Sequence, residues 1–161
     1  MHPSTAIANF FIEKGIQENR QVDQMKVQKL VYFAHGWHLA ITGKPLLNES
    51  IEAWSFGPVI PSLYHVLKHS GNQPIRTTIQ TDGTTSDDKE LTLYLEQIWK
   101  LYAPFTGIQL SNMTHEEATP WSAIAREFKN QIPPNTPLGD EAIRNYFLIQ
   151  KNQLNSHELA E

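Results

Sequence analysis

The chain has 161 residues, 40% of them hydrophobic and 10% aromatic, which suits one ordinary domain with its own core. Its net charge of −4 excludes a grip on nucleic acid that is electrostatic throughout, leaving room only for a local basic patch. The lack of cysteine excludes disulfides and thiolate metal sites and fits a reducing cytoplasm.

The opening residues, MHPSTAIANFFIEKG, lack a basic region followed by an apolar block, so they do not read as a secretory signal. No apolar run along the chain approaches the roughly 20 residues that span a bilayer. Ile7, Phe10 and Phe11 stand at helical spacing and predict a first helix over Thr5 to Lys14, capped by Ser4 and ended by Gly15. A polar connector, IQENRQVD, follows.

Asp23 sits where the N-cap of a second helix belongs. Val27, Leu30, Val31, Ala34, Trp37, His38 and Ile41 repeat as a buried stripe, with Lys26, Lys29 and His35 off it. Gly43 and Pro45 close this helix. Ile51 to Phe56 alternates as a short strand that Gly57-Pro58 breaks. Pro61 and Ser62 open a third helix through His69, with Gly71 after it. Residues 72–86 suit either a short strand near Arg76 to Gln80 or a loop.

A fourth helix is predicted from Asp87, with Glu90 at capping-box spacing and Leu91, Leu95, Ile98, Trp99 and Tyr102 as its stripe. Thr114 and Glu117 have the spacing of a second capping box, within a short helix over Leu110 to Ala118. Pro120 suits the first position of a helix through Phe128. IPPNTPLGD is a loop. Asp140 to Gln153 is a last helix with Ala142, Ile143, Tyr146, Phe147 and Ile149 available for burial, and the end around His157 should fray. The expected fold is mainly α, a single-domain helical bundle with a small antiparallel β element and a core over about residues 5–150.

Chemical signatures are sparse. His35 and His38 are three apart, and His65 and His69 are four apart, a zinc-like spacing that lacks a third ligand or an HExxH pattern. No nucleophile elbow, triad pattern or glycine-rich phosphate loop is present. The acidic pairs Asp87-Asp88 and Glu116-Glu117 have a sufficient role at helix N-termini. No catalytic residue, metal or cofactor is therefore expected. Lys26, Gln28, Lys29 and Arg20 make a small polar cluster, which reads as a solvated helix face before it reads as a DNA-contacting one.

Gln28-Lys29-Leu30-Val31-Tyr32-Phe33-Ala34 and Gly36-Trp37-His38 are similar to the signature of the Panacea domain. So are Gly43-Lys44-Pro45-Leu46, Ile51-Glu52-Ala53-Trp54, Phe56-Gly57-Pro58-Val59-Ile60-Pro61 and Leu63-Tyr64, then Leu110-Ser111, Thr114-His115-Glu116 and Pro120-Trp121. On these landmarks the chain resembles the SocA-like antitoxins, also known as phage-associated GepA-like proteins, over roughly residues 5–150. The resemblance implies an antitoxin that binds and neutralises a cognate protein toxin. It also implies, for one branch, an adaptor that delivers the toxin to the ClpXP protease, and antitoxins at large carry the alternative of a DNA-binding autoregulator.

Trp37 lies on the apolar stripe and belongs to the core. Trp54 and Phe56 share strand parity and so share a face, next to a bend. An edge strand there offers unpaired backbone beside apolar groups, and Trp and Tyr are frequent binding hot spots. The expected partner-binding residues are Trp54, Phe56, Gly57, Pro58, Val59 and Tyr64 on this segment, Lys29 and His35 on the exposed face of the second helix, and Trp121.

Overall fold

The computed structural model describes the chain over residues 1–160 and its side chains over residues 1–156; the expected fraying around His157 lies outside them. In chain order the elements are α1 (Ser4–Gln17), α2 (Gln24–Thr42), β1 (Glu52–Trp54), β2 (Gly57–Val59), α3 (Pro61–Leu67), α4 (Lys89–Tyr102), α5 (Gly107–His115), α6 (Pro120–Glu127) and α7 (Asp140–Ala160). A single 3-10 turn, Lys68–Ser70, follows α3. No helix among the described residues is long and apolar enough to cross a membrane.

The mainly helical fold is organised around α2, against which α1, α3, α4, α5, α7 and β2 all pack. Asp23 caps it by accepting from the Lys26 backbone N–H at 2.8 Å, and Gly43 ends it in the left-handed conformation. The expected stripe is buried from Val27 through Ala34 but fades at Trp37 and His38, and Ile41 is exposed. The larger correction concerns the opposite face. Lys26, Lys29 and His35 are buried rather than solvated, because neighbours surround the helix on every side. Amphipathicity marks a helix with one face in water, and the middle of α2 has none.

Gly36 lets α7 approach α2 closely: a Cβ there would stand 2.1 Å from Phe147 Cε2. Phe147 fills the space among Tyr32, Phe33, Trp37 and Tyr146. Tyr102 stacks on Phe33 at 4.3 Å and accepts the Trp37 indole N–H at 2.8 Å, which ties α4 to the same cluster.

Several boundaries shift. Pro3, not Ser4, stands at the N-cap of α1, Ser4 being held by Glu49, and the helix runs through Gly15. α4 is capped by Asp88 through Leu91 N–H instead of by Asp87. The second capping box is Thr106 with Gln109, not Thr114 with Glu117, so α5 starts and ends earlier than expected. Thr119 caps α6 with Pro120 at its first position, as expected. α7 continues beyond Gln153; Ile143 and Phe147 are buried, whereas Ala142 and Ile149 are exposed. Residues 72–86 form no strand. Asn9 does the work of a pairing partner there, donating from Nδ2 to Ile79 O at 2.8 Å and accepting Ile79 N–H at 2.7 Å.

The β element also departs from the expected strand. Gly57-Pro58 does not break it but begins a second strand, paired antiparallel with Glu52 opposite Val59 and Trp54 opposite Gly57. Ser55 and Phe56 form the turn. β1 is not a free edge, since Ala53 N–H donates to Thr136 O at 2.9 Å and Leu138 N–H to Ile51 O at 2.8 Å.

Candidate partner-binding site

The hairpin is fixed from below by side chains that take its carbonyl oxygens one after another. Trp121 Nε1 donates to Trp54 O at 2.6 Å. His115 Nε2 stands 3.3 Å from Ser55 O, its Nδ1 being 2.6 Å from Ser111 O. Ser111 Oγ donates to Phe56 O at 2.8 Å. Lys29 Nζ donates to Pro58 O at 3.1 Å, and Gln28 both donates to Ile60 O and accepts Ile60 N–H. Tight turns leave backbone acceptors unpaired, and buried ones must be satisfied. Here α2, α5 and α6 supply the donors.

Gly57 is the pivot. Its φ is +107°, and a Cβ on it would lie 2.6 Å from Thr114 Oγ1 and 3.2 Å from Lys29 Cε. Both the backbone conformation and the space require glycine. The ring of His115 packs on Trp121 at 3.9 Å between centroids, and Trp54 meets Tyr64 edge-on at 4.8 Å with its indole N–H on Glu52 at 2.7 Å.

This framing leaves Phe56 at the apex, 67% exposed. Beside it runs a groove of about 280 Å³ with a mostly apolar lining, to which Met25, Lys29, Trp54, Phe56, Val59, Tyr64 and Ile108 contribute. Ile108, on α5, is also 67% exposed. Two polar groups in the lining stand out. The Oε1 atom of Gln24 is buried without a hydrogen-bond partner. Lys29 is 2% exposed, and burial lowers its pKa from 10.5 to about 8, since no carboxylate among the described residues offsets desolvation.

Of the nine expected binding residues, the structure gathers Lys29, Trp54, Phe56, Val59 and Tyr64 on this groove. Gly57, Pro58 and Trp121 are buried beneath it, in the framing of the hairpin. His35 lies elsewhere. It is 1% exposed, Nε2 faces Asp140 Oδ1 at 2.8 Å and Nδ1 accepts Leu47 N–H at 3.3 Å, so it joins α2 to the start of α7. An edge-strand docking mode is closed on β1 by residues 136–138. Ser111 and His115 were visible as motif residues without a role; Gln24 and Ile108 carried no signal, because nothing local tells which side of a hairpin two helices will flank.

The polar cluster on α2 is not a solvated face. Lys26 is buried and donates to Ala103 O at 2.7 Å at the end of α4, and Gln28 and Lys29 hold β2. His65 and His69 do not share a helix face, since α3 ends at Leu67. Among the described residues no three His, Asp or Glu side chains are grouped to hold a metal.

The comparisons with known proteins fall on this same region. A family model described as Antitoxin SocA-like, Panacea domain, matches residues 27–122, from α2 through the start of α6. The chain is similar to Antitoxin SocA of Caulobacter vibrioides (strain NA1000 / CB15N), with 28% identity over 155 residues, covering 91% of this chain and 82% of that protein. No solved structure matches.

Proposed function

This chain belongs to the SocA-like antitoxins of the Panacea domain family, and from that premise we propose that it neutralises a cognate protein toxin in the cytoplasm by direct, stoichiometric binding. The observation that carries the reading is the framed hairpin: an exposed Phe56 over an apolar groove, on a turn whose carbonyls at Trp54 and Phe56 are taken by Trp121 and Ser111, with the His115 ring packed between them. A docking surface fixed before binding loses little conformational entropy when the partner arrives. An aromatic anchor beside a groove has the anatomy of an interface hot spot, and exposed apolar surface of this kind marks interaction sites.

In this reading Trp54, Phe56, Val59, Tyr64 and Lys29 contact the toxin. Gly57, Pro58 and Trp121 hold the hairpin in shape, and His35 acts from inside by setting α2 against α7. Binding stabilises whichever toxin state fits the groove and withdraws it from its target by mass action.

The test is co-expression with the product of the neighbouring gene. Restored growth and a stoichiometric complex are expected; continued arrest with no recoverable complex contradicts the reading. Toxin half-life in the same cells separates sequestration, which leaves it unchanged or longer, from delivery to ClpXP, which shortens it.

A further inference from the structure

We propose that the groove receives an acidic, apolar segment of the partner protein, one Asp or Glu side chain of which reaches the ammonium of Lys29. The inference rests on the neutralisation reading and names the chemistry of the segment that reading requires.

The first observation is the state of Lys29. An ammonium has three donors. Among the described residues this one has a single acceptor, Pro58 O at 3.1 Å, and no carboxylate within 4.0 Å. A buried cation without a counter-ion is unfavourable in the free protein, and here Lys29 lines a mostly apolar groove. A carboxylate from outside would supply the missing charge and acceptors at once, in charge-assisted bonds stronger than neutral ones.

The second observation is Gln24. Its Oε1 is a buried acceptor with no partner, on the lining of the same groove. Five residues separate it from Lys29 on α2, about 7.5 Å along the helix axis. A partner backbone running along the groove has an N–H to place there. The one acid in the lining, Asp23, does not answer Lys29: its Oδ1 caps α2 at the Lys26 N–H, and it lies six residues, about 9 Å, farther up the helix. The remaining lining, Phe56 and Ile108 above all, asks for apolar side chains flanking the acid.

The experiment uses the complex with the neighbouring-gene toxin. Ile108→p-benzoylphenylalanine is photo-crosslinked and the attached toxin segment mapped. The expected segment holds an Asp or Glu between apolar residues, internal to the toxin chain. Changing that residue to its amide, which leaves the antitoxin untouched, should weaken binding at least tenfold. Lys29→Met should weaken it comparably, and the two together no further than either alone.

A complex that forms but crosslinks through a segment without an acid, through the toxin's C-terminal residue or through a second copy of this chain overturns the inference alone. So does an amide change that leaves affinity unaltered. If no complex forms, the neutralisation reading itself falls, and the inference with it, an outcome distinguished by the absence of any affinity to compare.

Discussion

Trp121 Nε1 lies 2.6 Å from the backbone oxygen of Trp54, a bond that spans 67 residues of sequence and locks α6 to the end of β1. A second donor, Ser111 Oγ, meets the carbonyl of Phe56, and the His115 ring stands between the two against Ser55 O. Several of the residues that make the chain resemble its family, Lys29, Trp54, Phe56, Ser111, His115 and Trp121, converge on this one turn.

Removing this bond should loosen the turn more than the core. Trp121→Phe leaves Trp54 O without its donor and is expected to destabilise the protein by about 1–2 kcal/mol. Amide exchange at Ser55, Phe56 and Gly57 should quicken while α4 and α7 stay protected. Urea unfolding and exchange measured together check this; unchanged stability with unchanged exchange contradicts the framing role.

Gly36→Ala separates two opposing effects. Alanine gains about 1 kcal/mol of helix propensity over glycine, but its Cβ would meet the Phe147 ring at 2.1 Å. Overpacking of this kind costs about 1–3 kcal/mol, and Phe147 is hemmed in by Tyr32, Phe33 and Trp37. Net destabilisation is expected in urea unfolding. A variant more stable than the parent would mean that α7 does not pack on α2 as described.

Lys29 gives stability a definite dependence on pH. Burial lowers its pKa from 10.5 in the unfolded chain to about 8. Between those values the unfolded chain holds the extra proton, so stability rises with pH from about 8 to 10.5, and the cost of the buried charge is fully present below 8. Lys29→Met removes that titration and also leaves the buried Pro58 O without its donor, a loss of about 1–3 kcal/mol at either pH. Measured against the parent, the variant should therefore lose about 2 kcal/mol between pH 7 and pH 10, because only the parent gains stability over that range. Urea unfolding of both proteins at the two pH values tests it; a gap independent of pH is the contrary result.

Asn9 should anchor the long connection between α3 and α4. Its amide takes both backbone groups of Ile79, at 2.8 and 2.7 Å. Asn9→Ala is expected to cost about 1–3 kcal/mol by leaving these groups unpaired, and to raise proteolytic cleavage within residues 76–84. Cleavage no faster than in the parent would show that Asn9 is not the anchor.

Much of the bundle was legible in the sequence. Asp23 and Gly43 bound α2 because capping chemistry is local, and the α4 stripe from Leu91 to Tyr102 is buried as its spacing predicts. What could not be read was decided by neighbours far along the chain. Lys26, Lys29 and His35 break the apolar pattern of α2, yet each is buried because Ala103, Pro58 and Asp140 supply a partner from another element. The hairpin was hidden by Pro58, which has no N–H for a ladder and whose carbonyl is met by Lys29 instead of by a strand. The aromatic residues of the groove were visible one by one; their convergence depends on α5 and α6 closing beneath the turn.

The central claim is that the apex of the hairpin binds the toxin, and Phe56→Ala tests it most directly. Phe56 is 67% exposed, so its loss should change folding stability by no more than about 0.5 kcal/mol. Affinity for the co-expressed toxin, measured by calorimetry, should fall at least about tenfold, as for a hot-spot residue, with Leu154→Ala, an exposed apolar site on α7, as the control that leaves it unchanged. A Phe56→Ala protein that folds normally and binds its toxin as tightly as the parent would contradict the account.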